Sequence, residues 1–591
     1  MCGLCGEIRF DGRFAGTTAV DLMTTKLTPR GPDDGGILVH GPVALGHRRL
    51  SIIDLSPKAA QPMVDSDLGL SIVFNGCIYN YPALRSELEA LGYRFFSGGD
   101  TEVILKAYHA WGTACVRRFN GMFAFAIHER DSGKVVLARD RFGIKPLYLA
   151  EVDGGLLFAS SLPALLATGR VDKAIDPVAL RFYMSFHAVV PAPRTILKGV
   201  RKLPPATLRV VSADGSFSDE VYWRLDFQAL PGEDGRSAKD WEDGLFEEVR
   251  AAVARRMIAD VPVGVLLSGG LDSSLIVGLL AEAGQRDVET FSIGFEEANG
   301  EKGDEFSYSD LIAERYATRH HKIFIPEADM IAALPGAIAA MSEPMVSYDN
   351  VAFYLLAREV SKRVKVVLSG QGADEIFGGY HWYRPLVDST DPVTDYAAHF
   401  FDRTPERLAR HLSPAWLGAT DEARAFVAAH FAEDGAPDPV DKALRLDSTV
   451  MLVDDPVKRV DNMTMAFGLE ARVPFLDHQL AEFAGRIPSS LKLAQNGKGI
   501  LKEVARRVVP AAVIDREKGY FPVPGLKYIE GSRLDYVRDG LSSRAARQRG
   551  LFREDYLASL YENPRDAITP LRGSELWQVG LLELWLQEHG I

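Results

Sequence analysis

The sequence is poor in cysteine, which excludes a disulfide-stapled secreted domain. Four cysteines, Cys2, Cys5, Cys77 and Cys115, occur among 591 residues, and so few suit a reducing compartment. Cys2 and Cys5 form a Cys-x-x-Cys pair, but a structural zinc site needs a second pair, and a redox pair normally opens a helix. We therefore expect Cys5 to be a small buried residue rather than a ligand.

The sequence also lacks basic character and long apolar runs. Aspartate and glutamate (80) outnumber lysine and arginine (67), which gives a net charge of −13 and opposes bulk binding to nucleic acid or an anionic membrane. No apolar stretch is long enough to span a bilayer, and no basic segment followed by an apolar one marks a signal peptide. We expect a cytoplasmic protein whose partners are small molecules, with a homodimer left open.

The chain divides into two parts that differ in their pattern of apolar and polar residues. Residues 1–212 contain short β-like runs punctuated by glycine and proline, with one helix predicted from Asp100. Residues 213–240 are polar and turn-rich and form the predicted linker. In residues 241–591 buried strands alternate with helices, which predicts a parallel sheet covered by helices. The clearest predicted strands are 43–45, 70–74, 122–127, 135–138, 156–159, 261–267, 290–295 and 364–368.

The start of the chain carries a candidate nucleophile. Removal of Met1 by an aminopeptidase would give Cys2 a thiol and a free α-amine on one residue. The amine can accept the thiol proton, so nucleophile and base arrive together without a histidine. A cysteine at position 2 is weak evidence alone, and a motif far downstream strengthens it.

That motif is Ser-Gly-Gly-Leu-Asp-Ser-Ser at residues 268–274. It follows a predicted buried strand and opens a predicted helix, so backbone N–H groups and the helix N-terminus form a cradle for phosphate. It is not a Walker A loop, because no Gly-Lys-Ser/Thr follows. Asp272 inside an anion cradle is unfavourable unless a divalent cation bridges it to the phosphates. The alternative is an ordinary glycine-rich turn between a strand and a helix.

This loop resembles the pyrophosphate loop of ATP pyrophosphatases that adenylate a substrate. Together with Cys2 it makes nearly the whole chain similar to the glutamine-dependent asparagine synthetase family. The supporting strings lie at residues 30–33, 46–50, 74–76, 98–102, 368–375 and 469–477. The resemblance implies an α+β, N-terminal-nucleophile-type layered glutaminase domain with antiparallel sheets and helices. An α/β, adenine-nucleotide α-hydrolase-like synthetase domain with a parallel sheet would follow.

The resemblance also implies roles in the glutaminase half. Cys2 would attack the glutamine carboxamide, and Asn75 with the backbone of Gly76 would donate to the oxyanion, each donor being worth roughly 3–4 kcal/mol. Arg49 would hold the glutamine α-carboxylate and Asp100 its ammonium group. The alternatives are a structural ion pair for Arg49 and a helix N-cap for Asp100.

In the synthetase half the resemblance implies binding of ATP, as a substrate, with Mg²⁺. Asp272 and Asp374 would be the magnesium ligands, and Lys518 would neutralise charge as the acyl-adenylate forms, the alternative being a solvated surface lysine. The residues implied to bind the nucleotide are Leu266, Ser268, Gly269, Gly270, Asp272, Ser273, Ser274, Ile293, Ser369 and Gly370. Ammonia from glutamine would then displace AMP and give an amide.

At two positions the sequence differs from asparagine synthetases, which points to a narrower group within the family. Asparagine synthetases carry glutamate where this chain has Cys77 and where it has Gln371, and neither replacement can act as a carboxylate. The strings at 74–81, 158–165, 186–193 and 369–375 are similar to N-acetylglutaminylglutamine amidotransferases, which amidate an acetylated dipeptide to make an osmoprotectant. We therefore expect a carbon–nitrogen ligase acting on that dipeptide. The alternatives are asparagine synthesis from aspartate and a nucleotide-binding stress protein without catalysis.

Overall fold

Short apolar runs in the first 221 residues form two antiparallel sheets, and a third, parallel sheet follows. The computed structural model describes residues 2–233, 235–297, 303–516 and 529–591. The strands of the two antiparallel sheets are β1 (Gly3–Arg9), β2 (Asp34–His40), β3 (Val43–Arg49), β4 (Met63–Asp65), β5 (Leu70–Ile78), β6 (Gly121–Glu129), β7 (Val135–Arg139), β8 (Tyr148–Val152), β9 (Gly155–Ala159), β10 (Arg201–Lys202), β11 (Thr207–Val211) and β12 (Phe217–Val221). Those of the parallel sheet are β13 (Val263–Leu266), β14 (Glu289–Phe295), β15 (Arg319–Ile325), β16 (Val366–Leu368) and β17 (Glu470–Arg472).

The two antiparallel sheets pack face to face with helices on their outer faces. Their strand orders are β10-β8-β9-β1-β3-β2 and β12-β11-β7-β6-β5-β4, and the alternation of side chains along each strand buries one face between the sheets. Leu4 and Leu45 of the first sheet meet Val73 and Leu137 of the second in this core. The helices of this half are α1 (Thr17–Lys26), α2 (Tyr81–Ala90), α3 (Asp100–Trp111), α4 (Cys115–Arg118), α5 (Leu162–Leu166) and α6 (Pro177–Ser185).

The second half is built on the parallel sheet, whose order is β15-β14-β13-β16-β17. The chain leaves β13 toward β14 on one side and later returns to β16 on the other, so β13 and β16 flank the point where ligands bind in open α/β sheets. Its helices are α7 (Ala238–Arg255), α8 (Leu271–Glu282), α9 (Phe306–Tyr316), α10 (Glu327–Ala340), α11 (Asp349–Val360), α12 (Ala373–Phe377), α13 (Pro392–Phe400), α14 (Pro405–His411), α15 (Glu422–Phe431), α16 (Pro439–Leu446), α17 (Lys458–Met465), α18 (His478–Arg486), α19 (Ser489–Leu493), α20 (Gly499–Ala505), α21 (Ala511–Ile514), α22 (Gly531–Leu541), α23 (Arg544–Arg549), α24 (Glu554–Glu562) and α25 (Glu575–Glu588). None of the described helices has the length and apolar character needed to cross a bilayer.

The predicted fold class is confirmed, with antiparallel layers first and a parallel sheet after them. Each predicted strand lies in or overlaps an observed one, and the predicted helix from Asp100 is α3. The predicted boundaries 1–212, 213–240 and 241–591 stay a prediction. Strand β12, which pairs with β11, extends the second antiparallel sheet past residue 212.

Buried charges join the two halves. Arg30 of the first half donates to both carboxylate oxygens of Asp461 on α17, at 2.9 and 3.2 Å. Lys202 lies 2.6 Å from Asp454, just before the same helix. Because buried charges are expensive unless paired, these contacts fix how the second half sits against the first.

Candidate active sites

The first candidate site surrounds Cys2 at the start of β1. Cys2 is buried, its backbone nitrogen donates to Asn75 Oδ1 at 3.0 Å, and its Sγ lies 3.9 Å from the carbonyl oxygen of Leu50. Burial raises the pKa of the Cys2 thiol, so the thiolate needs a nearby base. Within the described part of the chain, Asn75 Nδ2 is buried without a hydrogen-bond partner. A donor held in that state is suited to a transient oxyanion.

A pocket beside Cys2 is lined by the predicted residues Arg49, Gly76 and Asp100. The guanidinium group of Arg49 is held by the carbonyl oxygens of Asp54 and Ser56. A Cβ atom at Gly76 would lie 2.1 Å from the carbonyl oxygen of Met122, so only glycine fits this close approach of β5 to β6.

Asp100 does not cap its helix. Gly99 occupies the N-cap position of α3, and Asp100 Oδ2 instead accepts from the backbone nitrogen of Ile78 at 3.0 Å. Burial raises the pKa of Asp100 to about 6. The carboxylate is therefore ionised at neutral pH and close to protonation just below it.

Cys77 lines the same pocket and is 1% exposed. Burial raises the pKa of the Cys77 thiol far above its usual range, so this position contributes no charge at neutral pH. Cys5, by contrast, is fully buried with its Sγ 3.8 Å from the carbonyl oxygen of Val20. The prediction that Cys5 is a small buried residue is confirmed.

Sequence reasoning missed two residues of this pocket, Glu470 and Arg472, which belong to β17 of the second half. Arg472 Nε donates to Glu470 Oε1 at 2.5 Å, and both side chains are buried. The string 469–477 marked them as a motif, but nothing in it tells that they face Cys2 rather than the synthetase side.

The second candidate site is a cavity of about 690 Å³ at the carboxyl ends of β13 and β16. The phosphate loop, residues 268–270, connects β13 to α8, and Gly269 has a positive φ of 74°. A Cβ atom there would lie 2.8 Å from the backbone nitrogen of Ser309, so the turn needs glycine. Ser268 Oγ accepts from the backbone nitrogen of Gly270 at 3.2 Å, which closes the loop.

Most of the predicted nucleotide residues line this cavity. They are Leu266, Ser268, Gly270, Asp272, Ser273, Ile293, Ser369 and Gly370. Gly269 and Ser274 do not line it: the side chain of Ser274 is fully buried, and its backbone nitrogen bonds Gly270 within the helix. Lys518 lies outside the described residues.

A residue that the sequence did not single out joins the two predicted magnesium ligands. Lys498 Nζ lies 2.7 Å from Asp272 Oδ2 and 2.9 Å from Asp374 Oδ1. Burial opposes its charge, but the two carboxylates outweigh burial and raise the pKa of Lys498. Its φ of +55°, next to positive φ values at Gln495 and Asn496, marks a strained turn of the kind that occurs at ligand sites.

Further polar side chains line this cavity. Gln371, Glu375, Tyr380, Asp349 and Arg459 all face it. Glu375 accepts from the Tyr380 hydroxyl at 2.7 Å, and burial together with Asp374 raises the pKa of Glu375 to about 7.

The two sites lie on either side of one strand pair. Arg472 of β17 lines the Cys2 pocket, while Ser369, directly after β16, lines the larger cavity. The backbone nitrogen of Ser369 donates to the carbonyl oxygen of Arg472 at 2.8 Å. Residues that line the two cavities are therefore hydrogen-bonded to each other across the β16–β17 pair.

Comparison with known proteins finds one family pattern in each half of the chain. The pattern of the family described as asparagine synthase matches residues 244–587, and that of the glutamine amidotransferase domain matches residues 1–223. Asparagine synthetase (glutamine-hydrolyzing) 1 of Bacillus subtilis (strain 168) is 32% identical, over 99% of this chain and 96% of its own length. Asparagine synthetase (glutamine-hydrolyzing) 3 of the same organism is 32% identical over 88% of this chain and 87% of its own. Amidase chyE of Penicillium rubens (strain ATCC 28089 / DSM 1075 / NRRL 1951 / Wisconsin 54-1255) is 26% identical over 83% of each chain. The chain therefore belongs to the glutamine-hydrolysing asparagine synthetase family, with a glutamine amidotransferase domain followed by an asparagine synthase domain.

Proposed function

We propose that this protein uses ATP to adenylate a carboxylate and then amidates it with ammonia released from glutamine. The observation that carries the proposal is the pairing of two sites in one chain, a Cys2 pocket and a phosphate-loop cavity, joined by the β16–β17 pair. With glutamine as the nitrogen donor, neither site alone makes the amide: the Cys2 pocket releases ammonia and the phosphate-loop cavity activates the carboxylate.

In the Cys2 pocket the thiolate attacks the glutamine carboxamide after the α-amine takes its proton. Asn75 Nδ2 and the backbone N–H of Gly76 donate to the oxyanion of the tetrahedral intermediate. Arg49 pairs with the α-carboxylate of glutamine, and Asp100 with its ammonium group. Because Cys77 is neutral, Asp100 carries that second contact without help from position 77.

In the larger cavity the phosphate loop and the N-terminus of α8 hold the ATP phosphates. Asp272 and Asp374 fit a magnesium site, since they converge on one point and Mg²⁺ is usually held by one or two carboxylates plus substrate phosphates. When bound, the ion neutralises charge on the phosphates. Lys498 lies where it can do the same for the leaving pyrophosphate, and Lys518 stays a candidate for that role.

For the acceptor we propose N-acetylglutaminylglutamine, whose amide is a compatible solute. Support comes from the two departures, because Cys77 lines the glutamine pocket and Gln371 lines the synthetase cavity. Gln371 cannot take a proton from attacking ammonia as a carboxylate could. The second candidate is asparagine synthesis from aspartate, which the names of the curated relatives favour.

A carboxylate screen separates the two acceptors. Purified protein with ATP and Mg²⁺ is given the acetylated dipeptide or aspartate, each with glutamine or with ammonium chloride, and pyrophosphate and amide product are measured. Turnover of the dipeptide alone supports the proposal. Turnover of aspartate alone would contradict the acceptor assignment but keep the amidotransferase chemistry. Absence of pyrophosphate release with either carboxylate would refute both candidate acceptors.

A further inference from the structure

Arg459 is a buried arginine whose side chain faces the synthetase cavity. It is 6% exposed and lines the cavity from α17. Its Nη1 lies 3.5 Å from Asp349 Oδ2 and 3.6 Å from Asp455 Oδ1, which is longer than a normal N–H···O bond. Across the described ranges its guanidinium group donates no hydrogen bond, and its Nε is buried without a partner.

Arg459 can be compared with two other buried arginines, which each donate several hydrogen bonds. Arg139 donates to three backbone carbonyl groups, and Arg472 donates to Glu470 and to two carbonyl groups. A buried donor without a hydrogen-bond partner costs the free energy of removing that group from water, and this cost is larger for a charged group. The buried Nε of Arg459 and the position of its guanidinium group at the cavity therefore point to a group that arrives with a ligand.

The backbone holds Arg459 in this position. Two π-helical turns, Asp447–Met451 and Val453–Val457, precede it, and such turns are frequent at functional sites. The buried carboxylate of Asp447 fixes the first turn by accepting from Trp382, Tyr383 and Tyr396 at 2.9, 2.7 and 2.5 Å.

The charges around Arg459 indicate what that group is. Asp349 and Asp455 already balance its positive charge, so a lone carboxylate placed there would meet two others. An amide adds no charge, and it offers a carbonyl oxygen to the guanidinium group and an N–H to Asp349. Asp349 keeps a side-chain exposure of 26% toward the cavity.

We propose that Arg459 and Asp349 bind an amide group of the acceptor, at a distance from the carboxylate that is adenylated. Arg459 is then the residue that selects the acceptor, through donors that are satisfied only when the amide is present. This inference rests on the proposed function and names the contact by which the acetylated glutamine dipeptide is recognised.

The test compares Arg459→Gln, Arg459→Lys and Asp349→Asn with the wild type. The KM values for dipeptide, ATP and glutamine are measured by pyrophosphate release, and folding is checked by circular dichroism. Loss of charge-assisted hydrogen bonds predicts that the dipeptide KM rises roughly 10- to 100-fold, while the KM values for ATP and glutamine change less than about twofold. The control is Arg358→Gln on α11, whose side chain is 37% exposed and does not line the cavity.

A second acceptor shows whether the contact is to the amide. In dipeptide analogues one glutamine at a time is replaced by norvaline, which lacks the carboxamide. We expect one analogue to have a raised KM in the wild type and no further rise in Arg459→Gln, since the interacting pair is already broken. An equal penalty of Arg459→Gln on every acceptor, or an unchanged dipeptide KM, would overturn the inference.

The same variants separate this inference from the proposed function. If the wild type turns over aspartate alone, the dipeptide function fails, and the amide contact fails with it. If the dipeptide is turned over and the Arg459 variants bind it as the wild type does, only this inference fails.

Discussion

At the residue scale, the reactivity of Cys2 depends on groups that the fold brings to it. We expect Cys2→Ala to lower glutamine-driven amide formation by roughly 10³-fold or more, because the Cys77 thiol of the same pocket has no α-amine on its own residue and burial keeps it protonated. Ammonia-driven formation should stay within about twofold of the wild type, since the synthetase cavity is separate. The measurement is amide product with each nitrogen donor. Cys115→Ala, which removes a buried thiol outside both sites, is the control, and loss of both activities in Cys2→Ala would contradict separate sites.

The pKa of Asp100 predicts that the kcat/KM for glutamine depends on pH. Burial raises the pKa of Asp100 to about 6, so the carboxylate proposed to pair with the glutamine ammonium group is ionised above that pH and protonated below it. The kcat/KM for glutamine should therefore fall as the pH drops through about 6, by close to tenfold per unit well below it. The ammonia-driven reaction, titrated in parallel, should lack this limb. A glutamine profile that stays flat between pH 5 and 7 would contradict the role of Asp100.

At the scale of elements, the phosphate loop and the turn before α20 meet at Lys498. Lys498→Met would leave the carboxylates of Asp272 and Asp374 facing each other without their buried cation. We expect pyrophosphate release to fall roughly 10²-fold or more with either nitrogen donor, with glutamine hydrolysis within about twofold of the wild type. Lys362→Gln, at an exposed ion pair, is the control. Unchanged pyrophosphate release would remove Lys498 from the nucleotide site.

Sequence patterns predicted the strands in which apolar and polar residues alternate or in which nearly every side chain is buried. Apolar strands such as β6 and β13 were predicted because their residues are buried almost throughout. Strand β15, Arg319–Ile325, was missed because it is an edge strand whose polar side chains give no apolar run. Strand β17 was missed because three residues are too few for a periodicity.

The site residues also divide into those that the sequence predicted and those that only the structure shows. Cys2, Arg49, Asn75 and Asp100 were named from motifs, and the structure places all four around one pocket or its wall. Lys498 and Arg459 were missed, since a lone charged residue in a helix or turn looks like a solvated side chain, and Glu470 was seen only as part of a motif with no sign of which site it faces. Only the fold shows that these three are buried.

At the scale of the whole molecule, buried ion pairs hold the two halves in register. Asp461→Asn would remove the charge that pairs with Arg30 and Lys145. We expect the free energy of unfolding, from urea denaturation, to fall by about 3–5 kcal/mol because a buried charge loses its partner. Glutamine hydrolysis should also slow, since Arg30 Nε donates to the carbonyl oxygen of Cys2 at 3.3 Å.

The control for this prediction is Glu220→Gln. It breaks an exposed pair with Arg117, whose side chains are 53% and 46% exposed, and should cost at most about 1 kcal/mol. Equal losses in the two variants would show that the Arg30–Asp461 pair does not join the halves.

The most direct test of the two-site account is the origin of the nitrogen in the product. Wild-type protein is given ATP, Mg²⁺, acceptor and glutamine labelled with ¹⁵N in its carboxamide, together with excess unlabelled ammonium at a pH where ammonium competes poorly. The account predicts that the amide product carries ¹⁵N, with one AMP and one pyrophosphate per amide. Product that carries only unlabelled nitrogen, while labelled ammonia appears in solution, would contradict the claim that the Cys2 pocket supplies the synthetase cavity.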